Sequence, residues 1–426
     1  MPFFSPMFTK SSSLLLLCMA LPLTLTACQR SDTDKSTLTS DTTASAPAST
    51  VASTPVPVLR PNVSQQFVGT SPIEVRLAYA LPEIPYTTDN LPSFAQTVNQ
   101  ASWGDSSDLI HSMTASQSAS TANDFANTSS NQLSTNLAST TPASSVSPVS
   151  VDNTKITKKL PAKLDQATII KIQALLNWHN HGVGAVNGKM SRNVIKAMNV
   201  FQQKHNLAVT SEMDEATWKA LTSDEKLNQQ PVLINYTLTK DDVHIPYHTK
   251  GMQYTSVREA VAERFHMSRS LLSQLNPDTP LKVGNTITVY NPYQPNMTEI
   301  TKVVANKKRN LLYAYDKTGR LVASYPTTVG SQYTPSPSGT LKVINRVINP
   351  TYNKDFSNKD SVLPPGPNNP VGRVWIGLSK KSFGIHGSPE PEMISQQKSH
   401  GCVRLTNWDA LALYGTIADG AEVIFE

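Results

Sequence analysis

Two short segments near the C-terminal end have the residue types and the spacing of a thiol catalyst. Cys402 lies in the segment Ser-His-Gly-Cys-Val-Arg, residues 399–404, and the pair His386-Gly387 precedes it. The thiolate is the reactive form of cysteine, and a neighbouring imidazole is the usual means of generating it near neutral pH. These segments therefore predict a nucleophilic cysteine that forms a covalent intermediate.

The N-terminal segment has the pattern of an export signal. An apolar run at residues 14–25, which contains Cys18, follows Lys10 and is too short to span a bilayer as a helix. Leu-Thr-Ala-Cys at residues 25–28 resembles a bacterial lipobox, which implies that residues 1–27 are removed and that Cys28 carries a lipid. The alternative is an ordinary secretory signal with an incidental cysteine. Because Gln29 rather than aspartate follows the anchor, the resemblance implies the outer membrane and a periplasmic location.

The cysteine count supports the catalytic interpretation of Cys402. An oxidising compartment such as the periplasm favours disulfides between paired cysteines. With Cys18 removed and Cys28 acylated, Cys402 has no partner inside the chain, and we expect a free thiol.

The charge of the chain is mildly basic, at +6 before and +5 after loss of residues 1–27, which contain one lysine and no acid. Such a balance suits an anionic polymer. No block of lysine and arginine is dense enough to follow a phosphate backbone, so we do not expect nucleic-acid binding.

Composition predicts a long tether at residues 28–162. The stretches 31–59 and 112–151 are rich in Ser, Thr, Ala and Pro and hold too little apolar surface to offset chain entropy. Residues 63–103 carry scattered apolar groups interrupted by prolines. We expect a mostly disordered tether there, with a short conditional binding segment as the alternative.

Two small units follow the tether. Residues 163–225 show helical spacing of apolar residues, predict three helices and resemble the peptidoglycan-binding domain 1 family. A plain spacer is the alternative. Residues 250–292 carry Tyr-Thr-Ser-Val, a short helix, Leu-Asn and a Leu-x-x-Gly-x-x-Ile-x-Val strand, an order that resembles a LysM module with βααβ structure. That resemblance implies binding to glycans that contain N-acetylglucosamine.

Residues 298–426 form the last domain, and their short β-branched and aromatic segments predict a mainly-β antiparallel sandwich or barrel. Asp316–Gly319 predicts a hairpin turn. The only helix expected spans residues 408–417. The whole chain is thus expected to be multidomain, with a β catalytic domain behind two small modules.

The last domain resembles the L,D-transpeptidase (YkuD-like) catalytic domain. The matching positions are His386, Gly387 and the segment 399–404, with His400 fourteen positions after His386. The resemblance implies a thioester on Cys402, with His386 as the base and the Gly387 carbonyl holding its other nitrogen. Its loop at residues 349–371, with Pro-Pro-Gly-Pro, resembles a wall of the family's substrate cleft.

The remaining positions of the motif have chemical reasons of their own. Backbone amides of His400, Gly401 and Cys402 could stabilise the oxyanion, because glycine permits the tight turn that this needs. Arg404 is a candidate anchor for a substrate carboxylate. Ser399 either binds substrate or shapes the loop.

Other interpretations of these residues stay open. His400 is closer to the thiol in sequence and could be the base. His386, His400 and Cys402 are all types of metal ligand but lack a fourth, so we expect no metal and no cofactor. A lone buried cysteine is often inert.

The resemblance implies cleavage of a peptidoglycan stem tetrapeptide before its terminal D-alanine and transfer of the acyl group to an amine. A second stem would give a cross-link between two third residues, a protein lysine would give a protein attached to the wall, and water would make the enzyme a carboxypeptidase or hydrolase. A noncatalytic lipoprotein that tethers the membrane to the wall is the rival. The acceptor and the oligomeric state are not determined by the sequence.

Overall fold

The computed structural model describes residues 72–103, 164–247, 249–292, 295–353, 358–395, 399 and 401–426. The signal segment, Cys28, His400 and most of the expected tether lie outside these residues. Within the described ranges, no helix combines the length and the apolar character needed to cross a membrane.

Residues 72–103 correct the expectation of a mostly disordered tether. They contain helix α1 (Ile73–Ala80) and helix α2 (Ser93–Gln100), and both are packed against later parts of the chain. Leu77 of α1 contacts Gly415 near the C-terminus, while Ala95 and Val98 of α2 are buried. The prolines separate two short amphipathic segments, and the apolar side chains of these segments are covered by residues distant in sequence. Local composition does not include such partners and therefore underestimates the apolar surface that is buried.

The helical unit expected at residues 163–225 is present. It consists of α3 (Gln166–Trp178), α4 (Arg192–Lys204), α5 (Glu215–Leu221) and a short fourth helix, α6 (Glu225–Asn228). The first three begin after Asp165, Ser191 and Asp214, whose side chains each accept a hydrogen bond from the third amide of the helix. Their apolar faces meet in one core.

The next unit has the βααβ order with one additional short helix after its first strand. We call it the βααβ module and define it as residues 233–290. Its elements are β1 (Leu233–Thr237), α7 (Lys240–Val243), α8 (Val257–Arg264), α9 (Arg269–Leu275) and β2 (Thr286–Tyr290). Strand β1 pairs with β2 in antiparallel register. The expected βααβ structure was confined to residues 250–292, whereas β1 lies before them, because this strand has no nearby hairpin partner to reveal it.

The last domain is built on one eight-stranded sheet with the order β11-β10-β9-β6-β12-β3-β4-β5. Among the described residues of this domain, the strands and the α-helix are β3 (Ile300–Asn306), β4 (Leu311–Tyr315), β5 (Leu321–Pro326), β6 (Gly339–Ile348), β7 (Tyr352–Asn353), β8 (Val362–Leu363), β9 (Val374–Leu378), β10 (Gly384–His386), β11 (Val403–Arg404), α10 (Asn407–Thr416) and β12 (Ile417–Phe425). The sheet is antiparallel except between β12 and β3 and between β10 and β11. Strands β7 and β8 form a separate pair.

This curled sheet replaces the expected sandwich or barrel. Helix α10 covers one face, where Leu411 and Leu413 pack in the same core as Ile385 and Val403 of the sheet. Because α10 buries this apolar face, no second sheet is needed to cover it. The opposite face of β9, β10 and β11 is left to the candidate functional residues.

Candidate active site

Strands β10 and β11 bring the predicted site residues to one face of the sheet. They pair in parallel, with Ile385 beside Val403 and His386 beside Arg404. Ile385 and Val403 are buried in the apolar core under α10. Side chains alternate along a strand, so His386 and Arg404 project from the other face. Cys402 directly precedes β11, and its thiol lies against the backbone of Ser382 and Gly384 at the start of β10.

The imidazole of His386 is buried, with 4% of its surface exposed, and has a fixed orientation. Its Nδ1 lies 2.7 Å from the carbonyl oxygen of Gly387, the contact that the sequence resemblance implied. A carbonyl only accepts, so Nδ1 carries the hydrogen and Nε2 is left as an acceptor. Trp375, which is opposite His386 in β9, stacks on it with ring centroids 5.8 Å apart and planes 22° from parallel.

Burial lowers the pKa of His386 to about 4, although the hydrogen bond to Gly387 acts in the opposite direction. The positive charge of Arg404 lowers the pKa further. The imidazole is therefore neutral at pH 7, and the Nε2 lone pair is available to take a proton.

The thiol of Cys402 is half-buried and protonated at rest. Burial raises its pKa, while the backbone amide of Gly384 and the charge of Arg404 partly offset this. The thiol donates a hydrogen bond to the carbonyl of Ser382 at 3.6 Å. In the part of the chain that the structure describes, no hydrogen bond joins this thiol to His386. The resting site thus holds a neutral thiol and a neutral imidazole, and proton transfer has to accompany attack on a substrate.

Ser399 closes the turn that carries the cysteine. Its hydroxyl donates to the carbonyl of Cys402 and accepts from the amide of Gly401 at 3.1 Å. The side chain is buried. The sequence left two roles open for Ser399, and these hydrogen bonds are those expected of a residue that shapes the loop.

The amide of Gly401 is consequently occupied by Ser399, although the sequence offered it as an oxyanion donor. The amide of Cys402 donates to no acceptor among the described residues, and His400 lies outside them. Gly401 has a φ of +109°, and a Cβ there would lie 2.9 Å from the ring of Phe383, so both conformation and space require glycine.

A neighbouring segment, residues 327–336, holds the cysteine turn from the other side. Ser336 donates to the carbonyl of Gly401 at 2.8 Å, and Thr334 donates to the carbonyl of Ser399 at 3.1 Å. Thr328 exchanges two backbone hydrogen bonds with Arg404, at 2.8 and 3.0 Å. The sequence did not reveal that this segment supports the cysteine turn.

The positive charge of the Arg404 guanidinium lowers the pKa of both reactive groups, His386 and Cys402. Its Nε is buried and has no hydrogen-bond partner in the described part of the chain. A buried donor without a partner is costly, and an incoming carboxylate would satisfy it.

Several residues around the site were not recognisable from the sequence. The Ser382 carbonyl and the Gly384 amide contact the thiol through the backbone, so their side chains give no signal. The position of Trp375 against His386 follows only from strand register. Within the described ranges no group of three His, Cys, Asp or Glu side chains could hold a metal ion.

Two family models match this chain. Residues 300–425 match the model described as the L,D-transpeptidase catalytic domain, YkuD. Residues 165–221 match the model described as "Putative peptidoglycan binding domain". The second match covers the helices α3 to α5.

Relatives with similar sequences carry transpeptidase names. The chain is 31% identical to "Putative L,D-transpeptidase YkuD" of Bacillus licheniformis over 169 residues, which are 39% of this chain and 90% of that protein. It is 30% identical to "Probable L,D-transpeptidase YbiS" of Escherichia coli over 188 residues, 40% of this chain and 60% of that protein. A crystal structure of an L,D-transpeptidase from Xylanimonas cellulosilytica is similar at 13% identity and a TM-score of 0.29, covering 61% of this chain and 92% of that one.

Proposed function

Because this chain belongs to the YkuD family of L,D-transpeptidases, we propose that it exchanges peptide bonds in peptidoglycan through an acyl-enzyme on Cys402. The observation that supports this most directly is the position of the Cys402 thiol against the start of β10, the strand that ends in His386, with the imidazole held neutral and its Nε2 free to accept. The donor is a stem tetrapeptide, cleaved between its third residue and the terminal D-alanine.

In the first half-reaction the sulfur of Cys402 attacks the carbonyl carbon of the third residue, and the thiol proton moves to Nε2 of His386. The bond to D-alanine then breaks, and His386 returns the proton to the departing amine. A thioester remains on Cys402. The low pKa of His386 favours this return, because the imidazolium gives up its proton readily.

In the second half-reaction an amine attacks the thioester and transfers a proton to His386. The carbon–sulfur bond breaks, and the sulfur recovers the proton. A thioester reacts well with amines and comparatively slowly with water, which favours transfer over hydrolysis. An acceptor amine on a second stem gives a cross-link between two third residues, and one on a protein lysine gives a protein attached to the wall.

Arg404 is the proposed anchor of a substrate carboxylate. Its Nε is buried without a described partner on the same face as the thiol, and a guanidinium pairs with a carboxylate through two parallel hydrogen bonds. The amide of Cys402, which has no acceptor among the described residues, is the proposed oxyanion donor.

The two small units are proposed as wall-binding modules. The helical unit matches a peptidoglycan-binding family model, and the βααβ module has the element order of the LysM resemblance. We further propose that the chain is a periplasmic lipoprotein anchored through Cys28, which would keep the enzyme near the wall, and we assign it to the outer membrane.

The acyl-enzyme is the step to test. The purified chain is incubated with disaccharide tetrapeptide, or with a carbapenem that acylates such thiols, and analysed by mass spectrometry. We expect an adduct on Cys402 in the wild type and none in Cys402→Ala, which should keep its fold and its wall binding. An unmodified wild type would favour the noncatalytic tether instead. Analysis of the released products separates cross-links from trimmed stems.

A further inference from the structure

A buried contact joins the βααβ module to the catalytic domain. Glu263 of α8 has 9% of its surface exposed, and its carboxylate accepts from the amide nitrogen of Asn407, 3.1 Å from each oxygen. The hydroxyl of Tyr254 donates to the same carboxylate at 2.8 Å. Burial raises the pKa of Glu263, and the nearby charge of Arg373 opposes this. A buried carboxylate with this many donors is a specific contact rather than a chance surface pair.

The other end of the Asn407 side chain lies against the backbone that holds the imidazole. Its Oδ1 accepts from the amide of Arg373 at 2.9 Å. A Cβ on Gly372 would lie 2.1 Å from this oxygen, and one on Gly387 would lie 2.2 Å from it. Both positions therefore require glycine. Gly387 is the residue whose carbonyl oxygen fixes Nδ1 of His386.

The same module also holds the loop that the sequence resemblance placed beside the cleft. The amide of Asn368 donates to the carbonyl of Met252 at 3.1 Å, and the Asn368 side chain donates to the carbonyl of Gln253 at 2.9 Å. Gln253 donates in return to the carbonyl of Pro365 at 3.2 Å. The module thus contacts the catalytic domain at the loop and at Asn407.

We propose that Glu263 is a positioning residue for His386, acting through Asn407 and the backbone of Gly387. This inference rests on the proposed role of His386 as the base. Without the carboxylate, the Asn407 amide loses two of its acceptor contacts and keeps the one to the Pro367 carbonyl at 3.2 Å. The side chain can then turn away from Gly387, and the imidazole loses its fixed position. A displacement of about 1 Å at a catalytic group can cost about a hundredfold in rate.

The experiment measures the second-order rate of Cys402 acylation by a carbapenem from pH 4 to pH 8, together with the melting temperature of each variant. For Glu263→Ala we expect a rate at pH 7 lower by about tenfold to a hundredfold, and an acid limb displaced to higher pH as His386 becomes more hydrated. For Glu263→Gln we expect a smaller loss, because its amide oxygen still accepts.

A swap of the two groups tests the contact itself. Asn407→Asp alone places a second carboxylate beside that of Glu263. We expect the repulsion between them to slow acylation. In the double variant Glu263→Gln with Asn407→Asp, the new amide at position 263 can donate to the new carboxylate at position 407, so part of the rate should return. The matched control is Glu259→Ala on the same helix, since the Glu259 carboxylate accepts hydrogen bonds from Thr255 of the same module, at 2.6 Å, and from no residue of the catalytic domain that the structure describes.

The outcomes separate the two proposals. A wild type that is not acylated overturns the proposed function and this inference with it. An acylated wild type whose rate and acid limb are unchanged in Glu263→Ala overturns this inference alone, whatever the melting temperature. If Glu263→Ala does not fold, the inference is tested with Glu263→Gln, Asn407→Asp and the double variant. A double variant that is acylated no faster than Asn407→Asp counts against the contact.

Discussion

The indole of Trp375 lies over Gly384 so closely that a Cβ at position 384 would stand 2.7 and 2.8 Å from two of its ring carbons. The same indole stacks on the imidazole of His386. Gly384 also provides the amide that approaches the thiol of Cys402. Because Gly384 has no side chain, Trp375, His386 and Cys402 can all lie close to this position.

Gly384→Ala is expected to displace Trp375 and to lower the rate of Cys402 acylation by about tenfold or more. The new methyl group would also lie 2.9 Å from the carbonyl of Ile376, so some strain in the strand is expected as well. Adding Trp375→Phe removes the ring carbons involved and should recover part of the rate. If Gly384→Ala acylates at the wild-type rate, the stacking contributes nothing to catalysis.

The pH dependence of the reaction follows from two shifted groups. His386 has a pKa of about 4, so the acid limb of kcat/KM is expected near pH 4 rather than near 6.5, the ordinary value of an imidazole. Burial raises the pKa of Cys402, so its alkylation by iodoacetamide should still accelerate at pH 9. Rates measured from pH 3.5 to pH 10 check both. A plateau of alkylation already at pH 7 would indicate a resting thiolate and contradict the neutral pair.

The chemistry could be predicted from the sequence because its residues form two compact segments, 386–387 and 399–404. Their meeting on one sheet face follows from strand pairing, which neighbouring motifs imply. The contact of Glu263 with Asn407 could not be predicted, since the two residues are 144 positions apart and neither belongs to a motif. The position of strand β1 could not be predicted for the same reason, because only its distant partner β2 identifies it.

Helix α1 offers a test of whether residues 72–103 contribute to the folded domain. Leu77 is 4% exposed and packs against Gly415 of α10, whereas Val75 on the same helix is 50% exposed. Leu77→Ala is expected to lower the free energy of unfolding by about 2 to 4 kcal/mol, because it leaves a cavity against α10. Val75→Ala is the matched control and should change it by less than about 0.5 kcal/mol. Denaturant unfolding measures both, and equal effects would mean that α1 is not docked.

Asp409 on α10 provides a prediction for stability against pH. The carboxyl is 7% exposed, and its Oδ2 has no hydrogen-bond partner in the described part of the chain. Burial raises its pKa from 3.8 to about 7, although the hydrogen bond with Thr406 opposes the shift. Between these two values the folded chain keeps a proton that the unfolded chain releases, so stability from this group falls as pH rises from 4 to 7 and stays low above that.

Asp409→Asn removes this cost while keeping the size of the side chain. We expect the variant to exceed the wild type in free energy of unfolding at pH 8, by at most about 4 kcal/mol at about 1.4 kcal/mol per pKa unit, and to match it near pH 4. His386 contributes the opposite slope, because its lowered pKa reduces stability as pH falls from 6.5 towards 4. That contribution is common to both proteins and cancels in their difference. Asp241→Asn, at an exposed position, is the control and should show no difference at either pH. A gain for Asp409→Asn that is equal at pH 4 and pH 8 would mean that the carboxyl does not titrate in this range.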